Sequence, residues 1–169
     1  MSGTRWLTDE QQRVWRSFGA AVDMVRGHVD SQLQRDSGMP HTYYEVLAAL
    51  SEEPGHMLRM SELAERCRSS RSRLSHAVAR LEESGWVSRT NCPTDKRGAF
   101  ARLTDEGLAA IEAAAPGHVE AVREALFDVL TPDQTRALGE ISDAIRGRLG
   151  RQCGAALAEA DAAEAAAEP

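Results

Sequence analysis

Apolar residues at Val14, Trp15, Phe18, Val22, Val25, Val29 and Leu33 recur in steps of three and four, the spacing that gathers side chains on one face of an α-helix. Thr8 with Gln11 forms a capping box ahead of this stripe, and Asp9 and Glu10 fall in the first turn, where their charge suits the helix dipole. Ser37-Gly38-Met39-Pro40 breaks the pattern. A second box, Thr42 with Glu45, predicts a shorter helix through Tyr44, Val46, Leu47 and Leu50, closed by Glu53-Pro54-Gly55.

The rhythm then shortens. Leu58-Arg59-Met60 is long enough for one small strand, and Ser61 is the expected cap of a helix to Cys67 that buries Leu63, Ala64 and Cys67. A helix from Arg71 to Ser84 follows, with Ser70 as its cap, Gly85 at C′, and Leu74, Ala77, Val78 and Leu81 as its inner face. Strand-like Trp86 to Thr90 and Ala99 to Leu103 flank a turn from Asn91 to Gly98. Alternation turns Trp86 and Leu103 inward and leaves Arg89 and Arg102 outside. Helix, helix, hairpin is the winged-helix order, an arrangement that reads duplex DNA.

Thr104 opens a long helix from Asp105 to about Leu130, which Pro116-Gly117 is expected to kink or split. Thr131-Pro132 stops it and starts a final helix through Leu138, Ile141, Ile145 and Leu149. The fold class is therefore mainly α within α+β: a winged helix-turn-helix over residues 42–103 with long terminal dimerisation helices over 6–36 and 104–149. Residues 150–169 are an Ala/Glu-rich tail, read as a frayed helix or as disorder. The terminal helices carry more apolar stripe than one small reader covers, so a second copy is expected against them.

Charge supports the same division. The 169-residue chain is acidic, at a formal −6, and all but one of its basic residues are arginine. Between Arg59 and Arg102, however, ten Arg or Lys stand against five Asp or Glu, a local +5 that leaves −11 for the remainder. Because exposed charges are screened beyond about 8–10 Å at physiological salt, a basic face on an acidic body still attracts phosphate at close range.

Other classes find little support. No stretch is apolar enough to span a membrane and the first residues lack a signal-peptide core, so a cytoplasmic protein is expected. Cys67, Cys92 and Cys153 have no zinc-site spacing, and no metal or cofactor is expected. A phosphate-binding glycine loop and a nucleophile elbow are both missing, which argues against an enzyme. Cys92 in the hairpin keeps a redox-sensing alternative open, and a winged helix serving only protein contacts is the other.

Candidate DNA contacts follow from position. Arg73, Ser75 and His76 lie in the first turns of the second reader helix, where side chains reach base edges in a major groove about 12 Å wide. Ser70, Arg71 and Ser72 are placed nearer phosphate, and Arg80 lies further along the same outer surface. In the hairpin, Arg97 suits a narrow minor groove, Lys96 a phosphate, and Asp95 the orientation of the wing itself.

The run Arg80-Leu81-Glu82-Glu83-Ser84-Gly85-Trp86-Val87-Ser88-Arg89, then Asp95-Lys96-Arg97 and Arg102-Leu103-Thr104-Asp105-Glu106-Gly107, resembles the MarR family of bacterial winged-helix transcription regulators. Tyr44-Glu45-Val46-Leu47 is also similar, and the likeness extends from about Trp6 to Leu149. One departure lies in the reader turn, where Arg68 and Ser69 replace the family's usual glycine and apolar residue. The resemblance implies a homodimer with intertwined terminal helices on a pseudo-palindromic double-stranded operator. It further implies repression relieved by a small aromatic or phenolic, anionic effector between the dimerisation helices and the reader. Trp15, Arg16, His28, His41 and Tyr44 are the candidate effector residues, since an aromatic face beside a cation suits an aromatic carboxylate. Trp15 also lies on the apolar stripe, which favours core or dimer packing for it over ligand contact.

Overall fold

A computed structural model of the chain describes the backbone of residues 3–92 and 95–166, and the side chains of 3–90 and 99–150. It divides into two compact units, Met1–Ala125 and Leu126–Pro169. The first holds α1 (Asp9–Ser37), α2 (His41–Ser51), β1 (Met57–Arg59), α3 (Met60–Arg66), α4 (Arg71–Glu83), β2 (Val87–Cys92), β3 (Asp95–Leu103) and α5 (Asp105–Val122). The second holds α6, Pro132–Ala166.

The expected box at Thr8 is present: its hydroxyl accepts from the Gln11 N–H at 3.2 Å, and the Gln11 side chain accepts from the Thr8 N–H at 3.0 Å. Gly38, at φ 62°, closes α1 in the left-handed region. The box at Thr42 does not form. α2 starts two residues earlier, behind Pro40, and the His41 N–H donates to Asp30 Oδ1 of α1 at 2.9 Å. A carboxylate from the preceding helix thus does the work assigned to a local side chain. Nor does Ser61 cap α3: Arg59 is its N-cap, and Glu62 reaches back to accept the Arg59 N–H at 3.2 Å.

The sheet has order β1-β3-β2, both pairs antiparallel. The small strand is Met57–Arg59, one residue earlier than the sequence suggested. Both wing strands outrun their expected lengths, because an irregularity between Asn91 and Cys92 lets pairing continue to Cys92 opposite Asp95. The Arg59 guanidinium lies 5.1 Å from the centre of the Phe100 ring.

Leu33, Met39, Leu47, Leu50, Leu63, Leu74 and Leu81 are fully buried and join α1, α2, α3 and α4 in one core with the sheet. Along the α1 stripe, Val29 and Leu33 are buried while Val14, Trp15 and Phe18 stay exposed. α5 passes through Pro116 without a break and ends in a π-helical turn, Arg123–Phe127. Pro116 and Glu112, whose carbonyl loses its helical partner to the proline, both lie on the exposed side of α5, where that loss is cheapest. The capping pair Thr131 and Gln134 opens α6, whose helical backbone continues past Gly150 to Ala166.

Candidate nucleic-acid interface and adjoining pocket

The α3–turn–α4 unit is built around its buried residues. Leu63 and Ala64 from α3 meet Leu74, Ala77, Val78 and Leu81 from α4 in the core, which fixes the opposite side of α4 toward solvent. Ser70 caps α4, accepting from the Arg73 N–H at 3.3 Å. Arg71, Ser72, Arg73, His76 and Arg80 are exposed on the outer side, and Ser75 is half-buried. An open groove of about 610 Å³ runs between Arg73, His76 and Arg80 of α4 and Thr42 and Tyr43 of α2.

Ion pairs sort the arginines of this region. Arg66 bridges Glu52 at 3.2 Å and also pairs with Glu53, tying α3 to the end of α2. Arg89 on β2 pairs with Glu82 of α4, and Glu82 also accepts the Arg89 N–H at 2.9 Å. Arg80 pairs with Glu83 at 2.7 Å while remaining two-thirds exposed. An exposed pair of this kind is worth at most about 1 kcal/mol, so phosphate can displace it. Arg71 and Arg73 have no ion-pair partner among the described residues. The side chains of Cys92, Asp95, Lys96 and Arg97 lie outside the described residues.

Of the candidate effector residues, His41 and Tyr44 come together and the rest do not. Tyr44 meets His118 of α5 with ring centres 4.0 Å apart, and His41 stacks on His118 at 5.8 Å. These rings, with Glu45, Glu52, Arg66 and Cys67, line a cavity of about 250 Å³. Trp15 is exposed near the start of α1, Arg16 donates to Gln12 at 3.2 Å, and His28 faces Glu124 at 3.8 Å. Burial, and secondarily His41, hold the His118 imidazole below its ordinary pKa, favouring the neutral ring. Burial, reinforced by Glu52, raises the Tyr44 hydroxyl. Burial and Glu45 push the Cys67 thiol up to about 11 against the pull of Arg66, so it stays a protonated packing group.

The sequence reading missed His118 and Arg66. Gly117 was the available signal for the first: a Cβ there would stand 2.8 Å from Gln32 Nε2, which shows how closely α5 approaches α1 beside His118. Arg66 had no local signal, since its partners lie more than a dozen residues back along the chain.

Comparison with known proteins supports the same reading. The MarR family profile matches residues 37–98. A MarR family transcriptional regulator from Streptomyces coelicolor, solved in complex with DNA, is 57% identical, with TM-score 0.82 over 85% of this chain and 91% of that one. The YetL transcriptional repressor of Bacillus subtilis is 28% identical over 71% of this chain and 74% of its own length. The PapX transcriptional regulator of Escherichia coli is 35% identical over 71 residues, and this match spans 42% of the chain and 43% of PapX. No described helix is long and apolar enough to cross a membrane. The chain belongs to the MarR family: it is a DNA-binding winged-helix transcription regulator, not an enzyme.

Proposed function

We propose that the protein is a homodimeric repressor that binds a pseudo-palindromic operator and is released from it by a small aromatic anion. The observation that carries this reading is α4. Its inner face is locked into the core by Leu74, Val78 and Leu81, while its N-terminal half offers exposed Arg71, Ser72, Arg73 and His76. A recognition helix needs that combination, a rigid mount and a polar face free to meet base edges. Arg73, Ser75 and His76 are assigned to bases, and Ser70, Arg71, Ser72 and Arg80 to phosphate. Arg97 is assigned to the minor groove with Lys96 on phosphate, and Asp95 holds the wing.

Residues 42–103 act as the reader, and 6–36 with 104–149 as the arms through which two copies join. Support for the dimer comes from exposed Trp15 and Phe18 on α1 and exposed Ile141, Ile145 and Leu149 on α6. Repression is supported by the likeness to YetL.

For the effector, the cavity lined by His41, Tyr44 and His118 offers aromatic faces, and the Arg66 guanidinium beside Glu45 and Glu52 is a cation that an aromatic carboxylate or phenolate reaches by displacing its paired glutamates. BpsR of Bordetella bronchiseptica shares the fold at TM-score 0.70 and 17% identity, and its DNA binding is regulated by 6-hydroxynicotinic acid. Release requires the ligand to favour the DNA-incompetent state, and a tenfold loss of operator affinity needs only about 1.4 kcal/mol of such preference. A panel of aromatic carboxylates and phenols in a DNA-release assay tests this. A releasing compound should lose potency in His118→Ala and Tyr44→Ala proteins that remain folded and dimeric. Unchanged potency in both places the effector elsewhere.

A further inference from the structure

Arg68 sits in the turn between α3 and α4, two residues before the Ser70 cap, with φ 48°. This left-handed conformation is one that glycine adopts freely and a side chain strains. The turn itself has no use for an arginine there. Among the described residues its hydrogen bonds do not use the Arg68 side chain: the Arg68 N–H donates to the Glu65 carbonyl at 3.1 Å, the Ser69 N–H to the Ala64 carbonyl at 2.9 Å and the Ser69 hydroxyl to the Ser70 carbonyl at 3.4 Å. The Arg68 side chain is exposed and takes no part in the core.

Its neighbours sharpen the point. Arg66, two residues earlier, is held by Glu52 and Glu53, and Arg89 by Glu82. Arg68 has no ion-pair partner among the described residues, a condition it shares with Arg71 and Arg73 across the N-terminus of α4. Three guanidiniums without carboxylates therefore cluster within six residues at the end of the helix that the proposed function sends into the major groove.

We infer that Arg68 is a DNA phosphate contact, a strained turn residue that trades local conformational ease for a cation beside the entry of α4 into the groove. The inference rests on α4 being the recognition helix. Phosphate is the appropriate target because a turn residue preceding the cap lies outside the helical turns that face base edges, and backbone contacts fix register without reading sequence. Arg68 therefore contributes to affinity on every sequence alike.

The experiment compares wild type, Arg68→Gly and Arg68→Lys for thermal stability and for binding to a selected operator and to random duplex across a salt series. Arg68→Gly should be at least as heat-stable as wild type, because glycine relaxes the turn. It should bind both duplexes several-fold more weakly at low salt. Its log–log salt slope should be shallower by about 0.9 per subunit, the value for one lost phosphate contact. Arg68→Lys should restore most of the affinity and the slope. Unchanged affinity and slope in Arg68→Gly overturns the inference while leaving α4 as the reader. Weaker binding with an unchanged slope that lysine does not rescue also overturns it, by showing that the turn's shape was what mattered.

Discussion

Gly107 and the carbonyl oxygen of Trp86 are in direct apposition: a Cβ added to Gly107 would stand 2.1 Å from that oxygen. The same carbonyl accepts the Thr104 N–H at 3.1 Å, and the Thr104 hydroxyl donates to the Gly85 carbonyl at 2.7 Å while accepting from the Gly107 N–H at 3.0 Å. The first turn of α5 is thereby seated on the base of the wing. Any change in the tilt of α5 reaches β2 through backbone rather than through adaptable side chains.

Gly107→Ala should therefore destabilise the protein. In an ordinary helix interior this exchange gains about 1 kcal/mol. Here the clash is with backbone, which has no rotamer to escape into, and a loss of about 3 kcal/mol or more is expected. Urea unfolding of the purified variant measures it. A variant as stable as wild type would mean that α5 and the wing are not fixed to each other in this way.

His118 makes stability depend on pH. Burial and the nearby His41 lower its pKa in the folded protein below the ordinary 6.5. The unfolded chain then binds the proton more readily, so this contribution to stability is fully present above about pH 6.5 and is lost as pH falls through the folded pKa. Melting temperature should decline from about pH 6.5 downward, and His118→Gln should flatten that decline. Identical profiles for the two proteins would remove His118 as its source.

The winged-helix order, the α1 stripe and the Thr8 and Ser70 caps were legible because each depends on residues within one or two turns of one another. The Thr42 cap was misread for the converse reason: Asp30, eleven residues back, offered the His41 N–H a partner from another helix. The Ser61 cap was displaced locally, since Glu62 accepts the Arg59 N–H and the helix starts behind Arg59. Pro116 looked like a breaker because sequence does not reveal which side of a helix faces water. The effector candidates scattered in the same way: His41 and Tyr44 belong to one helix, but their partner His118 arrives only when α5 packs beside α2. Arg68 was visible as a departure from the family's turn, though its positive φ is a property of the fold.

Phe18 and Ile145, both exposed in the single chain, are assigned to the interface between copies. Phe18→Arg or Ile145→Asp should leave the fold intact, since surface substitutions usually change stability by less than about 0.5 kcal/mol. Either should shift the protein from dimer to monomer in sedimentation velocity and weaken operator binding with it. Wild type sedimenting as a monomer at micromolar concentration would contradict the assignment, as would both variants remaining dimeric.

The central claim is that α4 reads sequence while the remaining cations supply affinity. Selection of binding sites from a random duplex library, run in parallel with wild type and Arg73→Ala, tests it most directly. Wild type should enrich a pseudo-palindrome whose half-sites lie about one helical turn, some 34 Å, apart. Arg73→Ala should enrich the same palindrome with preference relaxed at one base pair per half-site, by about 1–3 kcal/mol. Failure of wild type to enrich any site, or an Arg73→Ala motif indistinguishable from wild type at every position, would contradict it.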